Sequence, residues 1–421
     1  MKYSQYTALL KGSVFTWLAG VRSGKREKIL SSFADMLENA ICAGESIESF
    51  VDSFEGKSRE YCIKTMQKLV DKKLIFVNDD DFETPEKIKI ILSLSRRCNL
   101  QCRHCCVSGL PSADELSNVE YQEIVNQIIL LKPDVLVLTG GEPLLRNNFR
   151  EIVSSFKAAN IKLSLMTNGT LITSENVRFL IDSFDSIDIS IDGYDEQSCS
   201  ILRGKNVFQR VINSIRLLQR EGFHNLTGSF VVTKDTFHQR DKFVELCKEL
   251  NIEPVVRGFT AVGRGELYKE FEVPSRFDDQ DEITKAMSGI KNSLGIFTPD
   301  KWDFFVCDGA FSAFYIDYDG SIYPCPSFAE DDFKLGNIRN VNDLDSFFLK
   351  RNFVSEIEYQ KFFSYFPHRF SACNNCTAQL MCFKCARELK EYFDDFSENR
   401  CRVNKHGFEL SLNSYEEQLI K

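Results

Sequence analysis

Residues 88–105 read IKIILSLSRRCNLQCRHC and contain the clearest structural signal in the chain. The first eight residues are apolar and β-branched, which predicts a strand buried on one or both faces. Three cysteines follow this strand, Cys98, Cys102 and Cys105, at the spacing C-x3-C-x2-C. Three thiolates at this spacing, on a loop that leaves a buried strand, can face one metal centre.

Further short apolar stretches follow downstream, and helical patterns separate them. Ser117 and Glu120 form a capping box at the start of the first helical pattern. Six strands alternating with five helices predict an α/β protein with a parallel sheet, a partial (β/α)6 barrel that is short of the eight units of a closed barrel. The predicted strands are 88–95, 134–139, 161–167, 186–191, 227–233 and 253–258, and the predicted helices are 118–131, 147–159, 174–184, 207–221 and 236–250.

The regions before and after this alternation have a different character. YTALLKGSVFTWLAG (6–20) predicts a hairpin that turns at Lys11-Gly12, and two helical patterns then run into a strand, the order of a small winged-helix module. An acidic stretch at 78–87 is a natural linker, and the β/α alternation is lost from about residue 290. The predicted domains are therefore 1–86, 87–290 and 291–421.

The composition excludes several classes of protein. Of the 421 residues, 43% are apolar and 27% charged, which is ordinary for a globular protein. The net charge of −9, without a basic run, argues against a nucleic-acid partner. No apolar stretch approaches the roughly 18 residues of a membrane span, and the N-terminus lacks the features of a signal peptide. We therefore expect a cytoplasmic protein with no membrane partner.

Cysteine is unusually frequent, with fifteen residues beside only five histidines. Because disulfides are rare in the cytosol, clustered cysteines indicate metal, and soft thiolates favour iron–sulfur clusters or cysteine-rich zinc sites. Three ligands at the C-x3-C-x2-C motif would leave one iron of a [4Fe–4S] cluster open for a small molecule. A structural zinc site needs a fourth ligand, and His104 and Cys106 are adjacent candidates. Both interpretations remain open from the spacing alone.

The three-cysteine motif resembles the signature of the radical S-adenosylmethionine (SAM) enzymes, and later motifs at predicted strand ends extend the resemblance over roughly residues 88–265. Gly140-Gly141-Glu142-Pro143 follows the second strand, Thr167-Asn168-Gly169 the third, and Arg203 lies in an LRG turn. Glycines allow backbone carbonyls to approach a ligand ammonium, and a carboxylate complements its charge. The resemblance implies a [4Fe–4S] cluster on Cys98, Cys102 and Cys105. It also implies SAM contacts from Gly140, Gly141, Glu142, Pro143, Asn168, Ser190, Asp192 and Arg203.

Seven more cysteines lie in the C-terminal part of the chain. Taken alone, their paired C-x2-C knuckles are also typical of zinc sites. Their order, however, resembles the SPASM domain of peptide-modifying radical SAM enzymes, which implies two auxiliary [4Fe–4S] clusters and three clusters in all. The family has three residues between its last two knuckle cysteines, whereas this chain has two. The implied ligands are Cys307, Cys325 and Cys385 for the first auxiliary cluster, and Cys373, Cys376, Cys382 and Cys401 for the second.

The resemblance also implies a substrate class. SPASM-type relatives act mainly on peptides, and residues 1–86 resemble the winged-helix element that grips a leader peptide. The prediction is a radical SAM oxidoreductase of the maturase type that cross-links a ribosomally made precursor peptide through a thioether, C–C or C–O bond. Its predicted partners are the precursor peptide with its leader and a reductase such as flavodoxin or ferredoxin. No catalytic side chain is predicted.

Three alternatives remain. An anaerobic sulfatase-maturating enzyme would carry an Asp directly after the equivalent of Cys325, where this chain has Pro326. A peptide epimerase would need a hydrogen-atom donor, for which Cys199 and Cys106 are nominal candidates. A non-catalytic, cysteine-rich metal-binding scaffold would keep the knuckles but would not need the polar motifs at the strand ends.

Overall fold

The structure is a computed structural model of the chain, and it divides into two compact units. The first unit comprises the described residues of Met1–Pro85, Ser275–Asp308 and Lys361–Lys421, and the second those of Glu86–Pro274 and Gly309–Gln360. The residues that the structure describes are 1–77, 85–106, 115–271, 305–373, 376, 378–380, 382, 385–394, 401, 405, 408–409, 412 and 416.

The elements of the described residues are as follows in chain order. The strands are β1 (Lys2–Tyr3), β2 (Thr7–Lys11), β3 (Phe15–Gly20), β4 (Arg26–Leu30), β5 (Ile75–Phe76), β6 (Lys89–Ser93), β7 (Val135–Thr139), β8 (Leu163–Thr167), β9 (Ser186–Ser190), β10 (Leu226–Val232), β11 (Glu253–Gly258), β12 (Ala313–Ile316), β13 (Ser321–Tyr323) and β14 (Gly336–Asn337). The α-helices are α1 (Ser31–Cys42), α2 (Ile47–Asp52), α3 (Gly56–Asp71), α4 (Asn118–Leu131), α5 (Phe149–Ala158), α6 (Val177–Ser183), α7 (Glu196–Arg203), α8 (Phe208–Arg220), α9 (Arg240–Glu249), α10 (Leu344–Phe348), α11 (Ile357–Ser364) and α12 (Ala386–Asp394).

The N-terminal part of the first unit is a small sheet backed by helices. Strands β2, β3 and β4 pair antiparallel in that order, and β1 pairs with β5. The hairpin between β2 and β3 lies where the sequence predicts it, as do the two helices α2 and α3 that run into β5. The structure adds β4 and α1 between them. Buried side chains of α1 and α3, among them Phe33, Leu37, Met66 and Leu69, form the core against the sheet.

The second unit is built on one nine-stranded sheet with the order β11-β10-β9-β8-β7-β6-β12-β13-β14. Strands β6 to β11 are parallel, and they are the six strands that the sequence predicts. The five predicted helices are α4, α5, α6, α8 and α9. The capping box is present, since Ser117 and Glu120 bond reciprocally at the start of α4. The predicted α/β class with a mostly parallel sheet is confirmed.

Two parts of the second unit differ from the sequence-based expectation. Arg203 is the last residue of a helix, α7, and not part of a turn. The β/α alternation does not simply end near residue 290, because β12 returns to the sheet and pairs in parallel with β6. All four residues of β12, Ala313–Ile316, are buried. Since four residues are too short to show a period, the sequence pattern does not reveal this strand.

In the part of the chain that the structure describes, no helix is both long and apolar enough to cross a membrane.

His368 links chain segments within the first unit. Its Nε2 forms a 3.0 Å hydrogen bond with the carbonyl of Gln5, and its ring lies 5.6 Å from Phe363 and 6.2 Å from Phe366, between centroids. The pKa of His368 is lowered to about 4, mainly by burial; neighbouring arginine charges add to this shift, and the Gln5 bond opposes it. Because the folded-state pKa lies below the ordinary 6.5, the unfolded chain binds more protons between these two values.

We therefore expect the unfolding free energy to fall as the pH drops from about 6.5 towards 4, with His368 contributing up to about 2 kcal/mol of the loss. Urea denaturation followed by circular dichroism at about pH 7 and pH 4.5 measures it. H368Q should lose less stability on acidification than the wild type. H224Q, at an exposed histidine of the second unit, should behave as the wild type. An equal acid loss in the wild type and H368Q would contradict the assignment.

Candidate functional site

The three cysteines lie on the loop that leaves the C-terminal end of β6. Cys102 is buried, whereas Cys98 and Cys105 are partly exposed. The loop is fixed by backbone hydrogen bonds to other parts of the second unit. The amide of Arg103 donates to the carbonyl of Leu202 on α7 at 2.9 Å. The carboxyl ends of parallel strands meet at one edge of the sheet, so residues that follow β7, β8 and β9 surround this loop.

Gly140 and Gly141 bring the loop after β7 into direct contact with the cysteine loop. The amide of Gly141 donates to Ser95 O at 2.6 Å. A Cβ on Gly140 would lie 2.4 Å from the same oxygen, and one on Gly141 would lie 2.3 Å from Arg97 O. Gly140 also has a φ of 140°, which side chains rarely adopt. Both glycines are therefore required for the two loops to approach each other.

The carboxylate of Glu142 ties the ends of β7 and β8 together. Its side chain is fully buried and accepts hydrogen bonds from Thr167 Oγ1 at 2.8 Å, the Asn168 amide at 2.8 Å and the Leu144 amide at 3.2 Å. Burial raises the pKa of Glu142, and these three hydrogen bonds oppose the shift. The carboxylate that the family resemblance places beside SAM therefore also holds the framework of the site.

Asn168 extends this framework to the first cysteine. Its Nδ2 donates to Asn99 Oδ1 at 2.9 Å and lies 3.8 Å from Cys98 Sγ. Its Oδ1 accepts from the amide and the hydroxyl of Thr170 at 2.9 and 2.6 Å. Asn99 and Thr170 are also bonded to each other. The sequence analysis did not identify either residue, and only their position next to a motif residue could have indicated them.

A buried ion pair lies on the other side of the cysteine loop. Arg203 Nε donates to Asp192 Oδ2 at 2.5 Å, and His104 Nε2 lies 3.0 Å from the same oxygen. Burial raises the pKa of Asp192, but the nearby Arg203 and His104 outweigh it and hold the pKa well below its usual range. For Arg203, burial lowers the pKa and the Asp192 charge more than reverses this. The pair therefore stays ionised although both groups are buried.

His104 and Ser190 have polar atoms without a hydrogen-bond partner among the described residues. His104 Nδ1 is buried and has no hydrogen-bond partner among the described residues. The Ser190 hydroxyl, at the end of β9, is partly exposed and likewise makes no hydrogen bond within the part of the chain that is described. Both atoms are available to a ligand. Of the implied SAM residues, Ser190 is therefore free, whereas Asn168, Asp192 and Arg203 already hold the cysteine loop.

Arg264 is a further residue that the sequence analysis missed. Its guanidinium donates to Cys102 O at 3.1 Å, and its amide donates to Cys105 O at 2.9 Å. It follows β11, in the 3-10 helical segment Gly263–Phe271. The last strand of the parallel series thus also holds the cysteine loop, through an arginine that has no recognisable motif around it.

The sulfur atoms of the loop already face hydrogen-bond donors. Cys98 Sγ accepts from the Leu100 amide at 3.4 Å and from Asn168 Nδ2, and Arg203 Nη1 lies 3.8 Å from Cys102 Sγ. Burial raises the pKa of both thiols, to about 11 for Cys102 even though the Arg203 charge opposes it. Such donors stabilise the negative charge that a thiolate carries when it binds iron. The donor set therefore fits an iron–sulfur cluster.

The four cysteines implied for the second auxiliary cluster lie together in the first unit. Buried Cys373 packs beside Cys382 and Cys401, and the Cys376 amide donates to Cys373 O at 2.8 Å. Burial raises the pKa of Cys373 to about 12, and the three neighbouring cysteines add to the shift. This mutual proximity fits a shared metal centre, although no three Cys, His, Asp or Glu side chains among the described residues stand in an arrangement that would hold a single metal ion.

The cysteines implied for the first auxiliary cluster are divided between the two units. Cys307 and Cys385 belong to the first unit and Cys325 to the second. Cys385 immediately precedes α12, and its Sγ accepts from the Arg387 amide at 3.4 Å. Burial raises its pKa, and the charges that add to the shift are carboxylates rather than cysteines. The assignment of Cys385 to the first auxiliary cluster stays a prediction.

Comparison with known proteins identifies the domain that carries the site. The profile of the radical SAM superfamily matches residues 92–247, which include the cysteine loop, Glu142, Asn168 and Arg203. Residues 92–247 therefore form a radical SAM domain. The profile of the SPASM iron–sulfur cluster-binding domain matches residues 307–377. The radical SAM and SPASM resemblances are confirmed, and the match favours an iron–sulfur cluster over zinc at the three-cysteine motif.

Two curated relatives illustrate the range of the superfamily. GTP 3′,8-cyclase of Synechocystis is 28% identical over 39% of this chain, which spans about half (52%) of the cyclase. Mycofactocin maturase MftC of Mycolicibacterium smegmatis is 26% identical, over 67% of this chain and 74% of the maturase. The cyclase match is confined to a shorter segment, whereas the MftC match covers most of both proteins.

A solved structure shows the same fold over nearly the whole length. Streptococcus suis SuiB bound to S-adenosylmethionine superposes with a TM-score of 0.55 over 93% of this chain and 97% of SuiB, at 17% identity. SuiB has also been solved bound to its precursor peptide SuiA. At this identity the likeness shows the fold alone.

The glycine contacts predict how the radical SAM site responds to a single methyl group. We expect G141A to push the cysteine loop away from β7, because its Cβ would meet Arg97 O at 2.3 Å. The variant should therefore retain less iron at the three-cysteine site and bind SAM at least about tenfold more weakly. Iron content per chain of a variant that keeps only this site, and SAM titration, measure the two effects.

Gly258, at the end of β11, provides the matched control. A Cβ there would meet nothing within 4 Å, so G258A should behave as the wild type in both assays. Wild-type iron content and SAM affinity in G141A would show that the two loops do not need their close approach.

Proposed function

We propose that the protein is a radical SAM peptide maturase that installs an oxidative cross-link, a thioether or a C–C or C–O bond, in a ribosomally made precursor peptide. The observation that carries the proposal is the convergence of side chains from three separate segments, the loops after β7 and β8 and helix α7, on the Cys98–Cys105 loop and the strand ends beside it. Glu142, Asn168 and Arg203 all contact the loop or its neighbouring strand end. A scaffold that only binds metal would not need this arrangement.

The residues of the chain would divide the work of the site. Cys98, Cys102 and Cys105 would hold a [4Fe–4S] cluster that, when reduced, supplies from SAM the radical that removes a hydrogen atom from the peptide. The Ser190 hydroxyl and His104 Nδ1 would offer SAM polar atoms that have no partner among the described residues. The backbone around Gly140-Gly141 would offer further contacts. The buried pair of Asp192 and Arg203 would fix the cysteine loop against α7 and keep its surroundings dry.

The auxiliary sites remain as the SPASM resemblance implies them. We propose Cys307, Cys325 and Cys385 as ligands of one auxiliary cluster, and a second cluster on Cys373, Cys376, Cys382 and Cys401. With the cluster at the three-cysteine loop, the enzyme would hold three. The functional division into residues 1–86, 87–290 and 291–421, a cytoplasmic location and a flavodoxin or ferredoxin as reductant belong to the same proposal.

The peptide substrate is supported by two comparisons and by one feature of the first unit. The relative MftC is named a mycofactocin maturase, and the structure of SuiB has been solved with its precursor peptide SuiA bound. In the first unit, β4 is an outer strand of its three-stranded sheet. Outer strands bind extended peptides by strand addition, so we propose β4 as the edge that receives the leader, which would displace the Lys72 and Tyr61 side chains that now bond to its backbone.

Formylglycine formation in a sulfatase is the second candidate. Pro326, where such enzymes have an Asp, argues against it because proline has no proton-accepting side chain. It begins the short 3-10 turn Pro326–Phe328 directly after Cys325. Peptide epimerisation is the third candidate. Cys199, one of its two nominal hydrogen-atom donors, is fully buried in α7.

The reaction is tested by an anaerobic assay of the reconstituted, reduced enzyme with SAM and a cysteine-containing peptide encoded beside its gene. Run in heavy water and read by intact mass, a cross-link should appear as a loss of about 2 Da per event, since two hydrogen atoms leave the peptide. A gain of about 1 Da with unchanged connectivity would indicate epimerisation. Formation of 5′-deoxyadenosine without peptide change would call for sulfatase peptides next, and no SAM cleavage at all would favour the metal-binding scaffold.

The role of β4 is tested at Lys28. Lys72 Nζ donates to Arg26 O at 2.7 Å and the Leu30 amide donates to Tyr61 Oη at 3.3 Å, so the backbone of Arg26 and Leu30 faces away from β3. Because this direction alternates along a strand, the amide of Lys28 faces outward too. K28P removes that donor without touching the β3 pairing and should weaken leader binding by about tenfold or more. K28A keeps the donor and should bind as the wild type.

Fluorescence anisotropy of a labelled leader peptide measures both affinities, with circular dichroism to check that each variant is folded. Wild-type affinity in folded K28P would exclude β4 as the receiving strand and leave the other outer strand, β2, to be tested in the same way.

A further inference from the structure

Arg22 is a buried cation in the first unit. It directly follows β3 and Val21, and only 3% of its surface is exposed. Its Nη1 donates to the carbonyl of Cys307 at 3.0 Å, and the Cys307 amide donates to Val21 O at 2.9 Å. The backbone of Cys307 is thus bonded on both sides to two consecutive residues of the N-terminal part of the chain.

Aromatic rings surround the guanidinium. The centroid of Phe366 is 4.3 Å from Arg22 Cζ, and those of Tyr6, Phe362 and Phe363 are between 5.3 and 5.7 Å away. Cation–π contacts of this kind hold a guanidinium in one orientation and exclude water from it. Because water screens charges strongly and protein interiors do not, the charge of Arg22 acts over a longer distance here than it would at the surface.

We propose that Arg22 is a positioning residue for the auxiliary cluster to which Cys307 is a ligand, and that its charge raises the reduction potential of this cluster. The inference rests on the proposed function, which assigns Cys307 to that cluster. A [4Fe–4S] cluster gains negative charge on reduction, and a nearby fixed cation in a dry environment favours the reduced state. Hydrogen bonds and charge around the ligands are established determinants of such potentials.

The two contacts of Arg22 have separate consequences. The hydrogen bond to Cys307 O holds the ligand in place, so its loss should speed the release of iron. The positive charge sets the potential, so its loss should shift the midpoint to a more negative value. A merely structural arginine would affect the stability of the fold but not the potential of one cluster.

Variants at Arg22 separate the two effects. R22Q has a side-chain amide that can donate to the carbonyl but has no charge, and R22K keeps the charge without the planar guanidinium. Arg369 provides the matched control: it also stacks on Phe363, at 5.2 Å, but donates to Gln5 O instead of to Cys307. C307A identifies which EPR signal belongs to the cluster in question.

The measurements use the full-length, reconstituted protein under anaerobic conditions. Potentiometric titration followed by EPR gives the midpoint of each cluster, and iron release to a chelator gives the rate of cluster loss. We expect R22Q to lower the midpoint of the Cys307-dependent signal alone. R22K should keep that midpoint near the wild-type value and release iron severalfold faster, and R369M should match the wild type in both assays.

A wild-type midpoint in iron-loaded R22Q would overturn the inference. If R22Q does not fold, R22K decides: a wild-type rate of iron release would show that Arg22 does not position Cys307. An equal shift in R369M would also refute the assignment, because any loss of positive charge in the unit would then suffice. If C307A leaves every cluster signal intact, the cluster assignment itself is wrong, which is a distinct failure of the proposed function.

Discussion

The close approach of two loops at the C-terminal edge of the sheet is the constraint on which the site depends. The Gly141 amide donates to Ser95 O, and the Glu142 amide donates to Arg97 O at 2.7 Å, so two consecutive residues after β7 pair with the backbone that leads into the cysteines. At Gly140 and Gly141, only a residue without a side chain fits. Once this contact forms, Glu142 reaches the end of β8 and Asn168 reaches Cys98. The framework then extends from strand to strand.

The polar residues at the strand ends stabilise the site itself, because they pair with one another where they are buried. A buried carboxylate or guanidinium costs several kcal/mol unless it is paired and hydrogen-bonded. Here each charge has a fixed partner: Asp192 has Arg203 and the Val231 amide, and Glu142 has three donors. The polar motifs are therefore structural and functional at once. A substitution at one of them would disturb the position of a cysteine as well as any contact to SAM.

Sequence reasoning located most of the sheet and the motif residues, for identifiable physical reasons. β7 is a continuous apolar run, as is typical of a parallel strand buried on both faces, whereas β8 and β9 alternate between buried and partly exposed residues. Both patterns are recognisable in the sequence. The helix α7 was missed because the charged residues of EQSCSILR hide its buried face, which Leu202 and Cys199 provide. Arg264, Asn99 and the contact of Arg22 with Cys307 join residues far apart in the chain, and no local pattern indicates them. The cysteines proposed as metal ligands were predicted from their spacing, whereas the contacts that Asn99, Arg264 and Arg22 make were not.

The position of β12 has a consequence for how the chain is made. β6 carries the cysteine loop, yet one of its two neighbours in the sheet is formed by residues that are synthesised much later, with Ala313 paired to Lys89. Until that segment leaves the ribosome, β6 has an unpaired edge next to the cysteine loop. Unpaired edges favour pairing with other chains. A chain that stops before β12 would therefore expose an unpaired strand edge beside the three cysteines.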